Sequence, residues 1–146
     1  MASINYPGFT KTRIINSSID KVFDLLADLV RLGECMEYVD RVEILTNQTR
    51  GLGTKAKWIK KTPKDNPTTW IEEVTIFEPP NRVGFETIDG ENKIKGEISL
   101  VSITPTQTQI TFHEEFLYPN PRLDQHNAGM ENQLSSMRKC LETNQG

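Results

Sequence analysis

Long apolar runs are missing from this chain of 146 residues. No stretch approaches the ~18 to 20 consecutive apolar residues that span a bilayer. The opening from Met1 to Gly8 lacks the charged and apolar regions of a secretory leader. A soluble protein with no integral membrane association is therefore expected. Cysteine is scarce, with only Cys35 and Cys140 present, and a reduced, cytoplasmic compartment fits that usage best. Histidine is as scarce: His113 and His126 read as surface residues, and no Cys/His spacing suits a metal. An excess of positive charge is also missing. The 17 basic against 20 acidic residues leave a net charge of −3, the wrong sign for tracking phosphates, which disfavours nucleic acid as a partner. No Ser/His/Asp arrangement is visible. Gly51-Leu-Gly53 precedes a strand rather than a helix, so it serves a turn and not a phosphate cradle. Neither a metal nor an organic cofactor is expected.

What is present fits one domain over residues 1–146, large enough to bury most of its apolar surface without staples. Phe9 to Ile15 reads as a strand. Ser17 with Asp20 three residues on makes a capping box, and Val22, Phe23, Leu26, Leu29 and Val30 recur at helical spacing. Gly33 breaks this pattern, with a second short helix over Glu34 to Tyr38. Strands follow at Val39 to Leu45, Thr54 to Lys61, Thr68 to Phe77, Arg82 to Ile88, Lys93 to Ile103 and Gln107 to Leu117. Turn signals separate them: Gly51 and Gly53, Pro63 to Pro67, Pro79-Pro80-Asn81, Asp89-Gly90 and Thr104-Pro105. Asn120 and Pro121 then open a helix of about 22 residues, roughly 33 Å long, whose stripe is Leu123, Met130, Leu134, Met137 and Leu141. Gly129 within it marks a bend, a close approach to the sheet or a neutral accident.

Alternation divides the strands into two faces. Ala56, Trp58, Trp70, Val74, Ile76, Val83, Phe85, Thr87, Ile94, Gly96, Ile98, Leu100, Ile110, Phe112 and Phe116 take the inner one. The other face is polar, with Lys55, Lys57, Lys93, Lys95, Glu97, Gln109, Thr111, His113 and Glu115. The lysines at 55, 57, 60, 61 and 64 read as a solvated hairpin face. One helix scarcely fills the concavity of so large an antiparallel sheet, which leaves room for an apolar guest.

These segments carry a resemblance. The run Arg13 to Asp28, Tyr38 to Leu45, Gly51-Leu-Gly53 before a strand, and Glu73 to Val83 are similar to segments of the polyketide cyclase/dehydrase and lipid-transport group of the START/Bet v 1-like superfamily. The likeness covers nearly the whole chain. It implies an α+β helix-grip fold: a seven-stranded antiparallel sheet wrapped round the long C-terminal helix, two short helices between the first two strands, and a ligand cavity beneath the helix. The chain departs from relatives at Cys35, where they often carry Trp, and at Glu37, which replaces the Pro of a Met-Pro-x-Val segment.

Two carboxyls have inner parity. Glu114 shares it with Ile110, Phe112 and Phe116, and Glu72 shares it with Trp70 and Val74. Burial raises a carboxyl pKa toward neutrality, which suits a general acid or base or a polar anchor for a ligand. A bulge or one-residue slip in Thr68 to Phe77 would instead turn Glu72 outward and Glu73 inward. Met36, Trp58, Trp70, Phe85, Ile98, Phe112, Phe116, Met130, Leu134 and Met137 are the candidate apolar lining. Three functions are consistent with this pattern. The first is binding or transport of a small hydrophobic ligand, such as a lipid, a polyketide-like compound or another aromatic molecule. The second is a cyclase or dehydratase using Glu114 or Glu72, and the third is a protein-interaction adaptor. No oligomeric state is legible.

Overall fold

A computed structural model describes residues 6–61 and 68–143. The elements run β1 (Gly8–Ile15), α1 (Ile19–Ala27), α2 (Leu29–Cys35), β2 (Val39–Ile44), β3 (Lys55–Lys60), β4 (Thr69–Glu78), β5 (Arg82–Thr87), β6 (Ile94–Thr104), β7 (Gln107–Phe116) and α3 (Leu123–Thr143). Lys64 and the turn expected at Pro63 to Pro67 lie outside the described residues. The strands form one antiparallel sheet in the order β1-β7-β6-β5-β4-β3-β2. Strands β2 to β7 make a meander, and β1 adds to its last strand. Helices α1 and α2 carry the chain from one sheet edge to the other, and α3 closes over the buried face. This is the helix-grip arrangement expected above.

Strand β7 shows why the sheet has a dry side. Its burial alternates without a break, with Thr108, Ile110, Phe112, Glu114 and Phe116 inward. Each large apolar side chain so buried contributes about 1.5 to 3 kcal/mol. The turns follow the glycines: Gly51, Gly53 and Gly90 have φ of 93°, 88° and 73°, which only glycine adopts without strain. Beside Gly90, the Asp89 carboxylate accepts from Ile71 N at 2.8 Å and pins the hairpin to β4.

Several local expectations are corrected. Ser18, not Ser17, caps α1, its hydroxyl accepting from Lys21 N at 3.3 Å. Asp20 then falls within the first turn, where a negative charge complements the helix dipole, while Ser17 is buried. The break between helices falls at Asp28, whose carboxylate accepts from Arg31 N at 3.2 Å and starts α2. Gly33 lies inside α2, because a Cβ there would come within 2.5 Å of Val42 Cγ2. That glycine lets the helix press onto β2. Val30, placed on the apolar stripe, is exposed.

At the last helix, Asn120 takes a left-handed φ of 55° and is a turn residue rather than a cap. Helix α3 starts at Leu123, which is exposed, while Met130, Leu134, Met137 and Leu141 are buried. A Cβ on Gly129 would meet nothing within 4 Å, so no close approach occurs there.

Strand β4 carries the bulge that parity alone could not locate. Pairing with β5 shifts between Val74 and Ile76. Beyond it Phe77 turns inward, its ring 5.3 Å from Phe23, and Ile76 moves outward over Gly84, where a Cβ would lie 2.9 Å from Ile76 Cδ1. Ile76 therefore leaves the inner set. Glu72 precedes the bulge and keeps its inward position.

Cys35 and Cys140, read above as fitting a reduced compartment, form a disulfide with their Cα atoms 5.8 Å apart. It ties the end of α2 to α3. Among the described residues no helix is long and apolar enough to cross a membrane.

Candidate functional site: a cavity between sheet and helix

Cross-strand pairing builds the site. Trp58 on β3 sits directly opposite Trp70 on β4, and their rings stack at 5.9 Å with planes 9° apart. Two residues along β4, on the same face, Glu72 accepts a hydrogen bond from Trp70 Nε1 at 2.9 Å. Glu114 on β7 lies opposite Gly96 on β6. A side chain at 96 would collide with Phe85, since a Cβ there would fall 2.2 Å from Phe85 Cζ. The glycine lets that ring lean across β6 to meet Phe112 edge-on at 6.1 Å.

These side chains enclose a cavity of about 80 Å³, enough for several waters or a small ring. Leu26, Leu29, Leu32 and Met36 wall it from the helical connection. Trp58, Trp70, Val74, Val83, Phe85, Ile98 and Phe112 wall it from the sheet, and Gln133 and Met137 from α3. The polar lining is Glu72, Glu73, Glu114 and Tyr38 besides Gln133. Large aromatic and Met side chains fill most of the space beneath the helix and leave this remainder. It shares Tyr38, Trp70, Glu72, Glu114 and Gln133 with an open vestibule of about 620 Å³. The vestibule lies between the first half of α3 and the β5–β6 hairpin, with Lys60, His126, Gly129 and Met130 on its walls.

Electrostatics set the carboxyls apart. Burial pushes the Glu114 pKa up to about 8, and the nearby Glu72 adds to the rise. Burial also carries Glu72 up to about 7, against the lowering effect of the Trp70 hydrogen bond and with a smaller push from Asp89. The Tyr38 hydroxyl is driven upward by burial, opposed by a Gln133 hydrogen bond and reinforced by Glu72 and Glu114. At neutral pH, Glu114 is therefore largely protonated, Glu72 is poised, and Tyr38 keeps its proton. Among the described residues, no Lys, Arg or His lines the inner cavity, and Glu114 is 7% exposed. The indole nitrogen of Trp58 is buried without a partner among the described residues.

Of the lining expected from sequence, Met36, Trp58, Trp70, Glu72, Phe85, Ile98, Phe112, Glu114 and Met137 meet at the inner cavity, and Met130 at the vestibule. Phe116 and Leu134 do not line the cavity. Phe116 is held between Phe9, at 5.5 Å, and His126, stacked at 4.1 Å, and Leu134 belongs to the solid core. His126 is not a plain surface residue: it is half-buried and hydrogen-bonded to the Tyr118 hydroxyl. Burial, and then Lys60, lower its pKa. His113 is on the outer face as expected, bonded to Thr10 at 2.6 Å and Glu115 at 3.2 Å. Sequence reading missed Tyr38, Gln133 and Leu32 as lining. The available signal was the Leu26, Leu29, Leu32 spacing, which continues one apolar face through the Asp28 break.

A seven-stranded sheet gripping a C-terminal helix, with a cavity between them, defines the helix-grip class of fold. The chain belongs to the family of polyketide cyclase / dehydrase and lipid transport proteins, whose pattern it matches over residues 7–142. No curated protein matches it by sequence. Among solved structures it is similar to a START superfamily protein from Mycobacterium smegmatis, with TM-score 0.78 and 14% identity over 93% of this chain and 97% of that one. A Thermus thermophilus protein is similar with TM-score 0.77 and 18% identity, covering 96% of this chain and 100% of that one. The ZhuI aromatase/cyclase from a Streptomyces species gives 0.75 and 14%, covering 94% of each chain. At these identities the likeness is one of fold.

Proposed function

We propose that this protein binds a small molecule with a ring-sized apolar head in the inner cavity, its remainder lying in the vestibule. The observation that carries the reading is the convergence of Glu72, Glu114 and Tyr38 on the space where an aromatic wall opens outward. Apolar walls supply the affinity and the few polar groups fix orientation. Native mass spectrometry, with titrations of lipids, monocyclic and polycyclic aromatics followed by Trp58 and Trp70 fluorescence, tests it. Saturable one-to-one binding is expected; no bound mass and no saturable signal for any of them contradicts it. An adaptor working from its outer surface alone leaves this internal space without a role.

A second reading, acid–base catalysis on a polyketide-like substrate, is favoured by one observation: two carboxyls share the cavity, and burial raises both toward neutrality. In a dehydration, the Glu72 carboxylate takes a proton from the carbon beside a carbonyl. Protonated Glu114 gives one to the departing hydroxyl, which leaves as water, and the new double bond forms between the two carbons. The family description and the aromatase/cyclase likeness support this class of substrate. Glu114→Gln then folds and loses turnover; unchanged turnover removes Glu114 from the mechanism.

A further inference from the structure

The inner cavity has an unbalanced inventory of charge. Its acids come from two strands, Glu72 and Glu73 on β4 and Glu114 on β7. The groups facing them from the other elements are neutral or aromatic: Tyr38 ahead of β2, Trp58 on β3, Phe85 on β5, Gln133 and Met137 on α3. Besides the shared Tyr38, Glu72 and Glu114, the charged and titratable groups of the vestibule are Lys60, His126, Asp89 and Glu91, and these four do not line the inner cavity. Buried acids are ordinarily paired with a cation. Glu114 is buried with no cationic side chain among the described lining of the inner cavity, and it faces both the cavity and its mouth. The rings that share the cavity with it belong to Trp58, Trp70, Phe85 and Phe112, and their electron-rich faces attract cations.

We infer that the ligand is an organic cation: an ammonium group seated between Glu114 and Glu72, attached to a ring or short chain lying against Phe85, Phe112 and the tryptophans. This rests on the small-molecule reading above and names the ligand's class. The cation supplies the missing counter-charge, and a neutral ligand of the same shape does not. Lys60 at the rim opposes a cation during entry but stands outside the seat. The raised carboxyls add a pH signature. Below about pH 7 both are protonated, and a cation must displace a proton to gain its partner. Affinity for a permanent cation therefore climbs through the interval between about 7 and 8 and then levels, by up to about tenfold per pH unit for each proton released.

The test compares phenyltrimethylammonium, which does not titrate, with its uncharged isostere tert-butylbenzene, on the whole protein between pH 6 and pH 9. The charged probe is expected to bind at least about tenfold tighter than the isostere at pH 9, with the ratio collapsing at pH 6 and protons released on binding. Glu114→Gln, and Glu72→Gln as a second variant should the first fail to fold, bring the pH 9 ratio toward one. A preference for tert-butylbenzene at every pH overturns the cation and leaves small-molecule binding standing. A cation preference that neither pH nor either variant moves overturns the assignment to these carboxyls. Absence of binding by both probes, by lipids and by polycyclic aromatics overturns this inference and the binding reading together.

Discussion

The two ends of the β6–β7 ribbon make opposite use of the same alternating pattern. At one end Leu100 pairs with Ile110, both essentially sealed, and α1 covers them with Val22 and Leu25 in a solid hydrocarbon core. Thr108 beyond them is buried too, but its hydroxyl donates to Ser17 O at 2.8 Å, so its polarity is satisfied. At the other end Gly96 pairs with Glu114. There the facing side chains leave space, and the buried polar group is a carboxyl at the mouth of the cavity. A sheet of one parity thus yields a filled half and a receptive half. What separates them is whether the inward side chains close on one another or leave room beside a carboxyl.

Removal of the Cys35–Cys140 bridge is the largest perturbation of this division, because the bridge holds α2, a wall of the receptive half, against α3. Closing a loop of 105 residues constrains the unfolded chain by about 4 to 5 kcal/mol. A Cys35→Ser/Cys140→Ser variant should lose an amount of that order in guanidinium unfolding, together with ligand affinity. A loss below ~1 kcal/mol would show that the helices hold themselves.

Next comes a matched pair of truncations. Ile110→Ala in the solid half is expected to cost about 3 to 4 kcal/mol. Ile98→Ala, at the cavity wall, should cost about 2 kcal/mol, since some of its atoms already face empty space. Equal losses would erase the contrast between the halves.

Glu114→Gln has the opposite sign. Unfolded, the carboxyl titrates near 4.5, and folded near 8. Between these values unfolding releases a proton, so the native carboxyl contributes a stability that is full below 4.5 and declines as pH rises toward 8. The variant should gain on the order of 3 kcal/mol at pH 7 and nothing at pH 4.5. Urea denaturation at both pH values measures it, and a gain independent of pH would contradict the assigned burial cost. The smallest effect belongs to the rim. Gly129→Ala meets no neighbour within 4 Å and should add up to about 1 kcal/mol through helix propensity, readable as a small rise in Tm.

Much of this division was legible in the sequence. Unbroken period-two alternation over Gln107 to Phe116 placed Glu114 inward, and turn glycines bounded the strands, because both signals act within a few residues. The unread features depend on distant partners. Gly33 reads locally as a helix break, yet its lack of a Cβ answers Val42 across α2 and β2. The bulge at Val74 to Ile76 answers Gly84 on the next strand, so Phe77 and Ile76 exchanged faces relative to simple parity. Neighbouring serines left the cap ambiguous by one residue. Tyr38 and Gln133 meet the carboxyls only once α2 and α3 are docked, and the disulfide joins residues 105 apart in the chain.

Isoleucine-methyl NMR during saturation with a small aromatic ligand tests the central claim most directly. The Ile98 methyl should shift strongly while those of Ile15 and Ile110 stay in place. Saturable binding that leaves Ile98 unmoved, or that moves Ile15 and Ile110 as much, would contradict a receptive half built around Glu72 and Glu114.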